Sequence, residues 1–288
     1  FSESSVQVLR ASATQVSSLP NFGISVALSQ DVALVGSEGA LIALIFERGL
    51  EGEWIQAPTH TFHAPTGAPN SGSMFGNNVA LHMSPISLRN GPQRKYVKAS
   101  CAAIASNDGA IYIFHKEPDS SWDASPTAVL TSASADEIFF GASLALNADS
   151  LLVGVPGSNL ALIFTRPARN KYGDTLKWPT EPSYRLDGHA DVLMFGQMVA
   201  LSKTHAAVAS YSMSTVVLFH IAEDGSWPRT GVMLQPLEPP ANPDKTRPSM
   251  FGASISLSAS FLVVGDPIRR LVTVFSVSGG VRNASDME

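Results

Sequence analysis

Cysteine is almost missing from this chain: Cys101 is the only one. A single thiol excludes an internal disulfide framework. It sits in the small-residue run 99–105, which reads as a strand, so Cys101 is expected to be a buried small hydrophobe. Charge is sparse as well, at 15% of residues, with a net charge of −5 and a pI near 5.8. That balance offers no basic field for nucleic acid. No apolar run reaches the ~20 residues that a helical membrane span needs. What is plentiful is apolar residues, 44% of 288, enough for a core. All-β closed folds often run to this length as one domain. The first residue is Phe1 rather than Met, from which a processed product or an excised domain is expected.

A Phe-Gly pair recurs five times: Phe22-Gly23, Phe75-Gly76, Phe140-Gly141, Phe195-Gly196 and Phe251-Gly252. Three residues after each Gly stands an aliphatic residue, then a small one, then always Leu, as in Val26-Ala27-Leu28 and Val199-Ala200-Leu201. Such alternation marks a strand with two different faces. A second strand follows a short turn, as in Val32–Gly36, 151–154 and 262–265. A third ends on Phe46, Phe114, Phe164, Phe219 or Phe275. The first and last Phe are 24 residues apart in four copies and 39 in the second. A fourth strand is expected near Trp54, Trp122, Trp178 and Trp227, after Gly- and Asp-containing turns. Four antiparallel strands per repeat is the content of a propeller blade.

The fifth copy lacks the Trp segment and ends near Val277. Val6-Gln7-Val8-Leu9 precedes the first Phe-Gly at the interval of a fourth strand, and closing the sheet with it would protect both edges. The expected fold is therefore all-β: a five-bladed β-propeller of four-stranded antiparallel blades, closed by the N-terminal strand joining the last blade. A seven-bladed ring is the alternative. Residues 1–280 would form one propeller domain, with repeats starting near 22, 75, 140, 195 and 251, and 281–288 a polar tail.

These units resemble FG-GAP repeats of integrin α-subunits. The Phe-Gly pairs are one half of that signature, and Gly154-Val155-Pro156 and Gly265-Asp266-Pro267 are degenerate versions of the Gly-Ala-Pro half. The resemblance implies that the first strand of each blade lies innermost. It also implies a surface-exposed adhesion component, extracellular or at the cell surface. Family members often carry an Asp-x-Asp-x-Asp-Gly calcium loop after the first strand. Here those turns read Ser29-Gln30-Asp31, Asn147-Ala148-Asp149, Ser202-Lys203-Thr204 and Ser258-Ala259-Ser260, too poor in oxygen ligands for calcium.

Glycoside hydrolysis needs two carboxylates near the substrate, and the five first strands carry no Asp or Glu. No nucleophile elbow, phosphate-binding Gly loop or zinc spacing appears, and no cofactor is expected. The densest polar cluster is Asp187, Gly188, His189 and Asp191, before Phe195. The function expected is a non-catalytic protein-interaction or scaffold module, with other proteins as partners and a larger assembly as one setting for it. The alternative is a carbohydrate-binding or glycoside-processing propeller, which needs acids such as Asp187, Asp191 or Asp266 to converge. Partner contact is expected at the basic insertion of the second repeat, which holds Arg89, Arg94, Lys95 and Lys98 without an acid. The hairpin from Arg166 to Lys177 is basic too, and a Pro-rich loop runs from Pro236 to Pro248. Asn283-Ala284-Ser285 is the one glycosylation sequon, so Asn283 is a candidate glycan acceptor.

Overall fold

The structure, a computed structural model, describes residues 7–9, 19–49, 51–65, 74–83, 100–106, 109–116, 120–132, 137–166, 177–236, 249–277 and 282–283. The chain divides into two compact units, Phe1–Thr131 with Arg166–Thr180, and Ser132–Thr165 with Glu181–Glu288. Every strand in them belongs to an antiparallel four-stranded sheet, an architecture compatible with a propeller.

The first unit holds two sheets. One runs β1 (Phe22–Ser29), β2 (Val32–Ser37), β3 (Ile42–Glu47), β4 (His60–His63). The other runs β5 (Asn78–His82), β6 (Ser100–Ser106), β7 (Ala110–Lys116), β8 (Ala128–Thr131). Leu34, Ala43, Ile45 and Phe62 on one face of the first sheet form a single core with Phe75, Val79, Ile104 and Phe114 of the second. Burying each of these large side chains stabilises the fold by about 1.5–3 kcal/mol.

The second unit holds three sheets: β9 (Ser143–Leu146) to β12 (Tyr184–Asp187) through β10 (Ser150–Val155) and β11 (Leu160–Thr165); β13 (Met198–Leu201), β14 (His205–Ser210), β15 (Thr215–His220) and β16 (Val232–Leu234); and β17 (Ser254–Leu257), β18 (Phe261–Asp266), β19 (Leu271–Ser276) and β20 (Arg282–Asn283). Leu152, Ala161 and Ile163 pack on Phe195 and Val199, while Ala209, Val216 and Leu218 pack on Phe251 and Leu262. The same relation thus repeats: the second and third strands of one sheet press on the Phe-Gly segment and first strand of the next.

The Phe-Gly bend explains its own composition. The residue before it is left-handed at Asn21, Met74, Phe139 and Met194 (φ 58 to 64°), and the Gly itself has φ 86 to 104°, a region closed to most L-residues. The bend drops the aromatic ring into the core, with Phe75, Phe195 and Phe251 almost wholly buried. It also turns the Gly carbonyl toward the neighbouring sheet, where Ser25 Oγ donates to Gly76 O (2.9 Å) and Ser143 Oγ to Gly196 O (2.8 Å).

In four of the five sheets the end of the second strand, or the turn just past it, ties down the chain ahead of its own Phe-Gly. Ser37 Oγ donates to Pro20 O (3.0 Å) and Ser210 Oγ to Leu193 O. Just past β10, Gly157 N–H donates to Ile138 O (3.2 Å). In the last sheet Asp266 accepts from Ser249 Oγ (2.6 Å) and Met250 N–H (3.1 Å). The Gly-x-Pro pieces read as half of a signature therefore act locally, by stapling the bend.

Two strand expectations are corrected. The fourth strands begin past the tryptophans rather than at them, six residues on in three sheets (54 to 60, 122 to 128, 178 to 184) and five in the fourth (227 to 232). Trp54 and Trp122 form isolated bridges to Arg48 and Lys116 instead. The last sheet is completed by β20, Arg282–Asn283 pairing with Ser276 and Phe275, in the place expected for the N-terminal strand. Of that N-terminal segment, Gln7 Oε1 accepts from Trp54 N–H (2.9 Å), and Leu9 packs on the Val35, Leu44 and Phe46 face of the first sheet. An apolar face and the Trp54 main-chain N–H hold Gln7 and Leu9 at the first sheet.

Candidate functional site

Arg185 and Asp187 lie two apart on β12 and share its outer face, while Leu186 between them is fully buried. Arg185 Nε donates to Asp187 Oδ1 (2.6 Å). From the β15–β16 connection, Arg229 donates to Asp187 Oδ2 through Nε (2.9 Å) and Nη2 (2.8 Å). The Arg229 carbonyl accepts the Asp187 main-chain N–H (2.9 Å), fixing the two segments together. Two guanidiniums share one carboxylate, so the trio carries a net +1, and both arginines are more than half exposed. Guanidinium N–H groups not used by Asp187 are suited to carboxylate or phosphate oxygens.

The loop 188–194 continues from this trio. It is anchored by Gly188, whose absent Cβ would crowd the Phe195 ring at 3.0 Å, and by buried Val192. Asn159 holds both ends, its carbonyl accepting from Gly188 N–H (3.4 Å) and its Oδ1 from Met194 N–H (2.5 Å). Between the anchors, Asp191 is exposed, while His189 Nε2 is sealed from solvent without a hydrogen-bond partner.

A second polar cluster lies inside the first unit. Arg166 is buried, its Nη1 3.4 Å from Cys101 Sγ and its guanidinium 5.8 Å from the centre of the Trp178 ring. Trp178 Nε1 donates to His115 Nε2 (3.0 Å). An indole N–H only donates, so Nε2 accepts and the ring is the neutral, Nδ1-protonated form. Burial, and then the Arg166 charge, depress the His115 pKa to about 4. Cys101 is buried in β6 as expected, but with a cation beside it rather than a purely apolar shell.

Of the acids proposed to converge, Asp187 is committed to two arginines. Asp266 is buried and works as a staple: burial raises its pKa, but bonds from Ser249, Met250 N–H and Arg269 N–H, with the Arg269 charge, outweigh that and lower it. Arg89, Arg94, Lys95 and Lys98 lie outside the described residues, as do 167–176 and 237–248. Asn283 has its backbone in β20, opposite Phe275. Among the described residues no three His, Cys, Asp or Glu side chains are grouped to hold a metal, and no helix is long and apolar enough to cross a membrane. Sequence reasoning found the 187–191 cluster but missed its cations. Arg185 was legible as a period-two neighbour of Asp187; Arg229 is 42 residues away and had no local signal.

No family model and no curated protein matches the chain. Solved structures do. A candidate 6-phosphogluconolactonase from Bacteroides fragilis superposes with a TM-score of 0.54 at 14% identity, over 91% of this chain and 69% of that one. Another from Bacteroides uniformis gives 0.55 at 15% identity, over 96% and 72%. The periplasmic gluconolactonase of Pseudomonas aeruginosa gives 0.51 at 13% identity, over 90% and 70%. At such identities the likeness is one of fold. It places the chain beside propellers named as sugar-lactone enzymes and not beside integrin α-subunits, which corrects the FG-GAP resemblance and the adhesion and scaffold roles drawn from it. It also corrects the expectation of a non-catalytic module, since the proteins that share the fold are named as enzymes, a finding nearer to the carbohydrate-binding or glycoside-processing alternative. The acid-free first strands bear only on glycoside hydrolysis, which needs paired carboxylates. Opening a lactone is ester hydrolysis, which needs only an activated water and a stabilised oxyanion.

Proposed function

We propose that this protein hydrolyses the cyclic ester of an anionic sugar lactone. The observation that carries the reading is the convergence of Arg185 and Arg229 on Asp187, a fixed cationic pair beside a loop bearing an exposed carboxylate. The fold likeness to proteins named as 6-phosphogluconolactonase and gluconolactonase supports it. The arginines bind the substrate's phosphate or carboxylate. Asp187 holds them in place and does not react. Asp191 accepts a proton as water adds to the lactone carbonyl; the ring C–O bond then breaks, its oxygen takes a proton, and the open-chain sugar acid leaves. A compartment outside the cytoplasm is part of the same proposal, supported by the periplasmic neighbour.

The test is a pH-stat assay at neutral pH with 6-phosphogluconolactone and gluconolactone. Hydrolysis above the spontaneous rate, abolished in Asp191→Asn, supports the assignment. Rates equal to buffer alone for both lactones refute it.

A further inference from the structure

In every sheet the first residue of the second strand lies opposite the last residue of the third. The pairs are Val32 with Glu47, Ser100 with Lys116, Ser150 with Thr165, His205 with His220, and Phe261 with Ser276. Aliphatic, hydroxyl, charged and aromatic side chains all serve at this place, so the fold does not demand imidazole there. Of the five pairs, only that of β14 and β15 sets two imidazoles side by side.

The backbone brings this pair as close as a sheet allows. Ile221 N–H donates to Thr204 O (2.9 Å), one residue beyond the pair on each strand. That bond makes His205 and His220 a non-hydrogen-bonded pair, the kind whose Cα atoms stand about 4.5 Å apart with the side chains on one face. The ring centroids are 4.5 Å apart, at an interplanar angle of 75°. The chain is pinned on both sides of the pair: His205 N–H donates to Ser202 Oγ (3.0 Å), and Ala222 N–H to Ser226 O (2.8 Å).

The rings are in the form that a cation needs. His205 is buried, and burial, then the His220 charge, lower its pKa, so its ring is neutral at pH 7. Thr204 Oγ1 lies 2.9 Å from His205 Nδ1 and fixes that side of the ring. A polar partner on one nitrogen is what orients the other toward a metal. Among the described residues no hydrogen bond engages Nε2, and it is not sealed from solvent. His220 is exposed, so the pair opens outward.

We infer that His205 and His220 chelate one divalent transition cation, with water in its remaining positions. Imidazole nitrogen suits copper, nickel or zinc, whereas magnesium and calcium take oxygen ligands. Among the described residues no third His, Cys, Asp or Glu joins the two. The site is therefore open and exchangeable, unlike the closed four-ligand sets of structural zinc.

Calorimetric titration of the whole chain at neutral pH with Cu²⁺, Ni²⁺, Zn²⁺ and Mg²⁺, each alone, tests it. Cu²⁺ is expected to bind tightest, and Mg²⁺ not at this site. His220→Ala removes an exposed ligand without touching the core. It is expected to weaken the Cu²⁺ site at least about 100-fold, since losing even an outer partner of a ligating histidine costs about 10- to 100-fold. His63→Ala, which changes an exposed histidine of β4, leaves the site unchanged. Cu²⁺ should also raise the Tm of the wild type more than that of His220→Ala, because a ligand stabilises only the state that binds it. Binding that His220→Ala keeps at full strength, or that His63→Ala loses equally, overturns the inference. So does a wild type that binds none of the three transition ions up to roughly 1 mM.

Discussion

The Cβ that Gly154 lacks would fall on the carbonyl oxygen of Gly196. The same relation holds between Gly36 and Gly76. Here glycine is required by close approach and not by its dihedrals, since any side chain would force two packed sheets apart. Gly154→Ala is expected to destabilise the second unit by about 3 kcal/mol, the upper part of the usual range for overpacking. Ser143→Ala, which removes only the hydrogen bond to Gly196, costs about 1 kcal/mol. Urea unfolding of the two variants would show the order; equal midpoints would mean that the sheets slide freely.

Asp266 staples the bend ahead of Phe251, and it is almost wholly buried. Asp266→Ala leaves the Met250 and Arg269 main-chain donors without their acceptor, a loss of about 2–4 kcal/mol. The folded pKa is lowered, so the carboxylate stabilises the fold above its unfolded pKa, and that contribution disappears as pH falls through the folded value. Thermal melts between neutral and acidic pH are expected to converge for wild type and variant. A gap that widens toward low pH would contradict this.

His115 gives a dependence of known sign. Its folded pKa of about 4 lies below the ordinary histidine value of 6.5. Above the upper value the ring is neutral in both states and the stability is complete. Between the two, only the unfolded chain binds the proton, so stability falls as pH falls; below about 4 the loss stops growing. At pH 5 the loss is about 2 kcal/mol, from about 1.36 kcal/mol per pH unit. His115→Gln keeps an acceptor for Trp178 and cannot charge. Denaturant midpoints measured from pH 7 to 5 should therefore fall less steeply in the variant, whereas parallel slopes would show that the imidazole is not held neutral.

Much of this architecture was legible because the repeat restates it five times. The fixed Phe-to-Phe spacing set three strands of each sheet, and the alternation after each Gly set which side chains face the core. What was not legible depended on contacts remote in sequence. Trp54 caps a bridge to Arg48 instead of opening a strand, and Leu9 follows the apolar face of Phe46 instead of the last sheet. In the candidate site, Asp187 stood out by composition, yet its meaning changed once Arg229 arrived from another sheet. A Phe-Gly and Gly-x-Pro pattern names a family only if no other pressure creates it. Here the pressure is geometric: a left-handed bend, a bare carbonyl and a staple.

The most direct measurement is the ratio of kcat/KM for 6-phosphogluconolactone to that for gluconolactone, in the wild type and in Arg229→Ala. Loss of one charge-assisted contact of about 1.5–3 kcal/mol predicts a roughly 10- to 100-fold fall in that ratio, carried mainly by KM of the phosphorylated lactone. An unchanged ratio, or no turnover of either lactone by the wild type, would contradict the assignment of Arg185 and Arg229 as the anion-binding pair of a lactone hydrolase.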